Sequence, residues 1–165
     1  MRHLFAPITV LFLCAFTVCA FADETSVARK AIEASIKKTV AATEKKDAAG
    51  MVATYASDYT FVNRKKQTFG LKEVRGRVSQ LVGVAKSIKV KTEIKKFTLK
   101  GNSATLTIAE EATVIAFNQK RKRDSVYKTS SVVEEVWSKA GGTWLRRRGT
   151  QLTSTATLDG QKQPE

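Results

Sequence analysis

The apolar positions of this chain change period midway. Between Thr25 and Lys45, Val27, Ala31, Ile32, Ile36 and Val40 recur at helical spacing, while Arg29, Lys30, Glu33, Lys37 and Lys38 line the other faces. That pattern predicts an amphipathic helix packing its stripe on a sheet. Thr25 or Asp23 stands where an N-cap belongs. Asp47, after a break at Lys45-Lys46, is placed to cap a short second helix over Ala48 to Thr54, with Met51, Val52 and Tyr55 turned inward. Tyr59 to Asn63 reads as a strand, and Arg64 to Gly70 as a basic loop closed by its glycine. A third helix follows from Leu71 to Val84, with Leu71, Val74, Val78, Leu81 and Val82 on one face. Gly76 inside it costs about 1 kcal/mol relative to alanine.

From Ile88 onward the period is two. Ile88, Val90, Thr92 and Ile94 alternate with Lys89, Lys91, Glu93 and Lys95, and then the phase slips to Phe97 and Leu99. A slip of one residue turns every side chain to the opposite face, so a bulge is expected at Lys95-Lys96. Lys100-Gly101-Asn102 reads as a hairpin turn into a long strand from Ala104 to Phe117. Asn118 to Asp124 is the next tip. Ser125 to Trp137 forms another strand, joined through Lys139 to Gly142 to a last one that carries Trp144 and ends at Thr153. Ser154 to Glu165 reads as a polar, frayed tail. Three helices followed by long antiparallel strands make an α+β layer fold. The expectation is three N-terminal helices on a curved, mainly antiparallel sheet of four to five strands, enclosing a cone-shaped pocket.

The N-terminus narrows the chemistry. Met1-Arg2-His3 precedes an apolar run ending in Ala20-Phe21-Ala22, with Asp23-Glu24 behind it. Those are the parts of a signal peptide cleaved after Ala22, rather than of a spanning anchor. Residues 1–22 are then the signal, 23–153 the domain and 154–165 the tail, and the protein is secreted or periplasmic. Cleavage removes Cys14, Cys19 and His3, the only cysteines and histidine. A mature chain without them has no thiol or imidazole nucleophile or base, no disulfide, and no His or Cys metal ligand. No cofactor is expected. The whole chain carries 29 Lys and Arg against 15 Asp and Glu, a formal +14. Such a balance draws anionic material.

The order of elements resembles the nuclear transport factor 2-like superfamily, the SnoaL-like or ketosteroid-isomerase-like fold. Three stretches carry the resemblance: Lys46 to Phe61, Gly70 leading into the third helix, and Val136-Trp137-Ser138-Lys139 with Gly141-Gly142-Thr143-Trp144. The resemblance extends over about Ser26 to Thr153. The resemblance implies a roofed pocket. In the isomerase branch it implies a general-base aspartate at the end of the first strand, which falls here near Asn63. An asparagine accepts no proton at neutral pH, so isomerase-type catalysis at that position is not expected.

Other side chains could serve a pocket. Glu110 shares its phase with Leu106, Ile108, Ala112 and Val114 and is a cavity candidate, unless a bulge at Glu110-Glu111 turns both to water. Either Glu134 or Glu135 must face inward if their strand is regular. Arg146 and Arg148, in phase with Trp144, could pair with it. Glu110 and Glu135 are the catalytic candidates. Tyr55, Tyr59, Asn63, Arg146 and Gln151 are the ligand-binding candidates. Asp58 reads as a turn residue. The leading functional expectation is a pocket protein for a small, largely apolar ligand. The alternatives are a lyase, isomerase or hydrolase using a cavity glutamate, and a basic envelope module. The last would meet an anionic polymer or partner through Lys120, Arg121, Lys122 and Arg123, with a homodimer through the sheet left open. The basic clusters lack interleaved aromatics, so specific nucleic-acid binding is not expected.

Overall fold

In a computed structural model, residues 15–163 are described. Helix α1 (Ala15–Glu44) and helix α2 (Ala48–Met51) precede strands β1 (Tyr55–Val62) and β2 (Thr68–Gly70). Helix α3 (Leu71–Val84) leads into β3 (Ala85–Lys100), β4 (Ser103–Asn118), β5 (Arg123–Ala140), β6 (Thr143–Leu158) and β7 (Gln161–Lys162). All seven strands form one sheet in the order β2-β1-β6-β5-β4-β3, with β7 also on β6. The architecture is α+β as expected, but the sheet is larger than the four to five strands read from the pattern. Every pairing is antiparallel except that of β1 with β6.

Helix α1 buries Ala28, Ile32 and Ile36 against Ala104, Leu106 and Ile108 of β4, with Trp137 and Trp144 completing the core. Ile32, Leu106 and Trp137 are wholly enclosed. Truncating a side chain so packed costs ~2–5 kcal/mol. The described helix runs unbroken from Ala15 through Asp23 and Thr25. Neither Thr25 nor Asp23 ends it, because a cap residue stops a helix only where the preceding backbone leaves helical geometry. The expected cleavage point after Ala22 therefore falls within α1, and residues 1–14 of the expected signal, with His3 and Cys14, lie outside the described residues.

Asp47 caps α2 as anticipated, its side chain accepting from Gly50 N at 3.0 Å. The helix stops at Met51 instead of Thr54, and the strand opens at Tyr55 instead of Tyr59. The cause lies in β6: Arg146 N donates to Thr54 O (2.8 Å), and Tyr55 pairs with Arg146. The basic stretch read as a loop contains β2, which pairs Phe69 with Phe61 around a turn. Gly70 N then donates to Glu73 Oε2 (2.9 Å) at the start of α3.

The β3–β4 ladder is interrupted between Ile94 and Lys96, where the bulge was expected. Gly141 and Gly142 both take positive φ, 56° and 81°, in the β5–β6 turn. That is the backbone of the two-residue hairpin whose twist matches its strands. Two further interruptions lie between β5 and β6, at Val132/Val133 and Val136/Trp137. Bulges bend a strand and increase its twist. The frayed tail expected from Ser154 is corrected: β6 continues to Leu158 and β7 follows. Thr153, Thr155 and Thr157 supply the β-branched residues that favour a strand. Asp159 fastens the end by accepting from Val126 N (2.8 Å) and Ser125 Oγ (3.1 Å).

Candidate functional site

Strands β5 and β6 bring Glu135 and Arg146 together beneath the helices. Arg146 Nη1 lies 3.0 Å from Glu135 Oε1 and donates to Tyr55 OH at 3.1 Å. Trp137 Nε1 donates to Glu135 Oε2 at 2.8 Å. The guanidinium carbon sits 4.9 Å from the ring centroids of both Tyr55 and Trp137. Glu135 is 6% exposed and Arg146 8%. Burial alone would make Arg146 easier to deprotonate; the Glu135 carboxylate and the tyrosine hydroxyls reverse that, so the arginine stays a cation. Both Glu135 oxygens are engaged, which makes this glutamate a positioning group rather than a free base. Arg146 Nε is buried with no acceptor, at a cost of about 1–3 kcal/mol.

The phase relations explain the selection. Trp137 and Glu135 point inward together, whereas Glu134 is exposed. Arg146 and Arg148 were expected on one face, but the interruption at Val136/Trp137 separates them. Arg146 is buried and Arg148 exposed. Between them Arg147 turns to Asp58, with Nη1 2.7 and 2.6 Å from the two carboxylate oxygens. That hydrogen bond, helped by the charge, holds Asp58 below the usual carboxylate range. Asp58, read as a turn residue, is instead inside β1, because the strand opens at Tyr55, and it is held by this ion pair.

Above the Glu135–Arg146 pair lies a hollow of about 180 Å³ between α1, α3 and the sheet. Ile36 and Val40, Val78 and Leu81, and Ile88 and Ile108 supply apolar walls from both layers. Glu110, Tyr55 and Arg146 make its polar end. No bulge occurs at Glu110: it pairs with Ser131 and Thr92 in unbroken register. Its side chain is accessible through the hollow, yet the surrounding walls strip enough water to raise its carboxyl above the ordinary value. Arg146 opposes that rise and Glu135 adds to it. Tyr55 is pushed up by burial, partly offset by Arg146. Its oxygen accepts from Arg146, so its own proton is free to point elsewhere.

The remaining candidates divide. Tyr59 stacks on Tyr55 with ring centroids 4.3 Å apart, and burial raises its hydroxyl pKa. Being 4% exposed, it supports Tyr55 from behind. Asn63 and Gln151 are not in the hollow; they line a separate depression of about 320 Å³ with Arg64 and Ser154. Asn63 is occupied by its own turn, bonding Gln67 through Nδ2 (2.8 Å) and Oδ1 (2.9 Å). In the basic tip, Arg121 Nη1 and Arg123 Nη2 lie 2.7 and 3.3 Å from Asp159 Oδ2. Only Lys120 and Lys122 of that cluster are uncommitted. The sequence reading missed Thr39 and Thr43, which reach the hollow from α1 and follow Ile36 and Val40 at helical spacing. Their hydroxyls donate back to Ser35 O and Thr39 O, leaving only lone pairs for a guest. Among the described residues, no group of three His, Cys, Asp or Glu could hold a metal ion.

A curved sheet roofed by helices over a hollow with one polar end defines the class of structure. The fold is that of the nuclear transport factor 2-like proteins. A conserved protein from Planctomyces limnophilus superposes with a TM-score of 0.66 at 18% identity, covering 79% of this chain and 94% of its own. A putative scytalone dehydratase from Novosphingobium aromaticivorans gives 0.66 at 12% identity, over 81% and 90%. A nuclear transport factor 2-like superfamily protein from Salmonella enterica serovar Typhimurium gives 0.63 at 14%, over 77% and 91%. No protein-family model matches the chain. No curated protein matches it. At these identities the likeness shows the fold alone.

Proposed function

We propose that the hollow is a binding pocket for a small, largely apolar ligand carrying one polar group. The observation behind this reading is a chamber with apolar walls on both layers and a charged, hydrogen-bonding cluster of Glu110 and Tyr55 beside Arg146. Its volume of about 180 Å³ lies near the ~150 Å³ of a cavity that accepts benzene, and below the ~300–1,000 Å³ of sites for drug-sized molecules. The guest is therefore of single-ring size. Its polar group takes the Tyr55 proton or meets the Glu110 carboxyl. Export after cleavage following Ala22 is the proposed location, and the amino-terminal residue of the natively produced protein tests it.

The test of the pocket is native mass spectrometry for co-purifying ligand, followed by titration with phenol and 2-naphthol. Saturable phenol binding, weaker naphthol binding and loss of both in Ala112→Phe, which fills the hollow, would support the pocket. Equal binding of both probes, unaffected by Ala112→Phe, would refute it. A second reading, an isomerase or lyase, rests on Glu110, whose raised carboxyl has no hydrogen-bond partner among the described residues. Such a group is poised for proton transfer to or from a guest held by Tyr55. Exchange of ligand hydrogen for deuterium, present in the wild type and absent in Glu110→Gln, distinguishes catalysis from binding.

A further inference from the structure

The face of the sheet turned away from the helices carries a cross-strand row that the hollow does not use. Register aligns Lys89 of β3 with Thr113 of β4, Thr113 with Lys128 of β5, and Lys128 with Thr157 of β6. Thr157 in turn pairs with Lys162 of β7. Cross-strand partners share a face, so the five side chains form one ladder of alternating cation and hydroxyl. The neighbouring row adds Lys91, Glu111, Ser130 and Thr155. A shallow depression of about 450 Å³ lies over both rows.

We infer that this ladder binds a linear acidic polysaccharide bearing about one charge per disaccharide. The spacing carries the inference. Strands lie ~4.8 Å apart, so lysines on every second strand repeat at ~9.6 Å, about the length of two pyranose rings. The threonines between them offer hydroxyls to sugar oxygens. Nucleic acid presents a phosphate every ~1.7 Å of duplex axis, far denser than this row. Lys91, Lys128 and Lys162 have no carboxylate within ion-pair distance among the described residues, while Lys89 leans toward Glu44 at 3.8 Å and is itself largely exposed. Lys128 and Lys162 are free to meet an outside anion, and Lys91 stands across from Glu111 without an ion pair between them. Self-association across this face would set lysine rows against lysine rows, which charge repulsion opposes. The row lies apart from the basic tip, where Asp159 already engages two of four cations. No aromatic ring stands in it, so attraction depends on charge and weakens with salt.

The test is calorimetry of the purified chain with hyaluronan oligosaccharides, which carry one carboxylate per disaccharide, at low and high salt. Single-stranded DNA, phosphatidylglycerol vesicles and sedimentation of the protein alone are the comparison arms. Binding should be saturable and salt-sensitive. Lys128→Gln should weaken it about fivefold, the worth of one exposed ion pair, and Lys91→Gln/Lys128→Gln further, with unchanged thermal midpoints. A Lys120→Gln/Lys122→Gln variant should bind as the wild type does. The inference is overturned by absent hyaluronan binding, by equal or tighter binding of DNA or vesicles, or by equal loss in the tip variant. A dimer dissociated by Lys128→Gln would overturn it too, because the face would then belong to a second copy.

Discussion

Arg146→Met is the perturbation on which the account of the pocket floor stands or falls. In the wild type, Arg146 and Glu135 side chains are 10% and 8% exposed and 3.0 Å apart. Removing the arginine leaves Glu135 buried with Trp137 Nε1 as its one remaining donor. Breaking a buried pair from one side costs ~3–5 kcal/mol, because an uncompensated charge stays behind. That is a large share of a domain's total ~5–15 kcal/mol. Glu135→Gln is the converse arm: shape survives, but the buried guanidinium loses its counter-charge, and a loss of similar size is expected. Replacing both, as Glu135→Leu/Arg146→Met, removes both charges at once. Such replacements are often neutral or stabilising. Here the double variant forfeits the Tyr55 hydrogen bond, about 0.5–1.5 kcal/mol. It also forfeits the ring contacts on the guanidinium, roughly 0.5–2 kcal/mol. Trp137 Nε1, wholly enclosed, also loses its acceptor on Glu135, at about 1–3 kcal/mol. The double variant should still lose less than the two single losses summed. Urea unfolding of all four proteins, followed by tryptophan fluorescence, measures the cycle. Additive losses would refute the argument, since they would mean that neither group depends on the other.

Gly149→Ala tests the packing behind the pocket. A Cβ there would come 2.7 Å from Tyr59 OH and 3.1 Å from Phe61 Cδ2. Tyr59 is buried against Tyr55 and has little room to yield, so a loss of ~1–3 kcal/mol is expected; a thermal midpoint equal to that of the wild type would contradict it. Glu110 gives a pH dependence of definite sign. Its carboxyl is raised in the folded protein by desolvation, so the folded state holds the proton more tightly than the unfolded chain does. The contribution of Glu110 to stability is greatest below the ordinary glutamate range and declines as pH rises through the interval up to the folded value. Glu110→Gln should thus gain on the wild type across that interval and stay level above it. Thermal midpoints from acid to neutral pH check this, and a gap that closes with rising pH would count against a desolvated Glu110.

The parts legible in the sequence are those governed by local pattern. Gly141-Gly142, the phase slip after Ile94 and the stripe of α1 each announce their geometry within a few residues. The inward glutamate was not legible, because β5 carries apolar residues in both phases: Val132 and Val136 beside Glu134, Val133 and Trp137 beside Glu135. Neither phase marks the core by composition. The half-buried valines of the outer face are what blur the alternation. Arg146 and Arg148 looked equivalent because the extra residue at the Val136/Trp137 interruption is Arg147, neither glycine nor proline. The parallel pairing of β1 with β6 joins residues some ninety apart and contains its own irregularity between Tyr55 and Thr60. No local signal encodes such a contact, and it is the one that places Tyr55 over Arg146.

The same long-range pairing decides which chemistry the fold can host. The resemblance directed attention to the end of the first strand, where Asn63 stands. That residue is committed to the turn joining β1 to β2 and faces a different depression. The polar end of the hollow is instead assembled from three strands: Tyr55 at the start of β1, Glu110 of β4 and Arg146 of β6. Arg146 is held in place by Glu135, Tyr55 and the ring contacts and sets the local field. At this end Glu110 and the Tyr55 hydroxyl can respond to a guest, one as acid or acceptor and one as donor. A ligand that satisfies both turns its polar atoms toward that end, because Val78 and Leu81 of α3 and Ile88 of β3 offer none and Thr39 and Thr43 offer only lone pairs. Helix α3 has no fully buried residue and packs more loosely than α1. It is therefore the element whose displacement admits a guest at the least cost in core contacts.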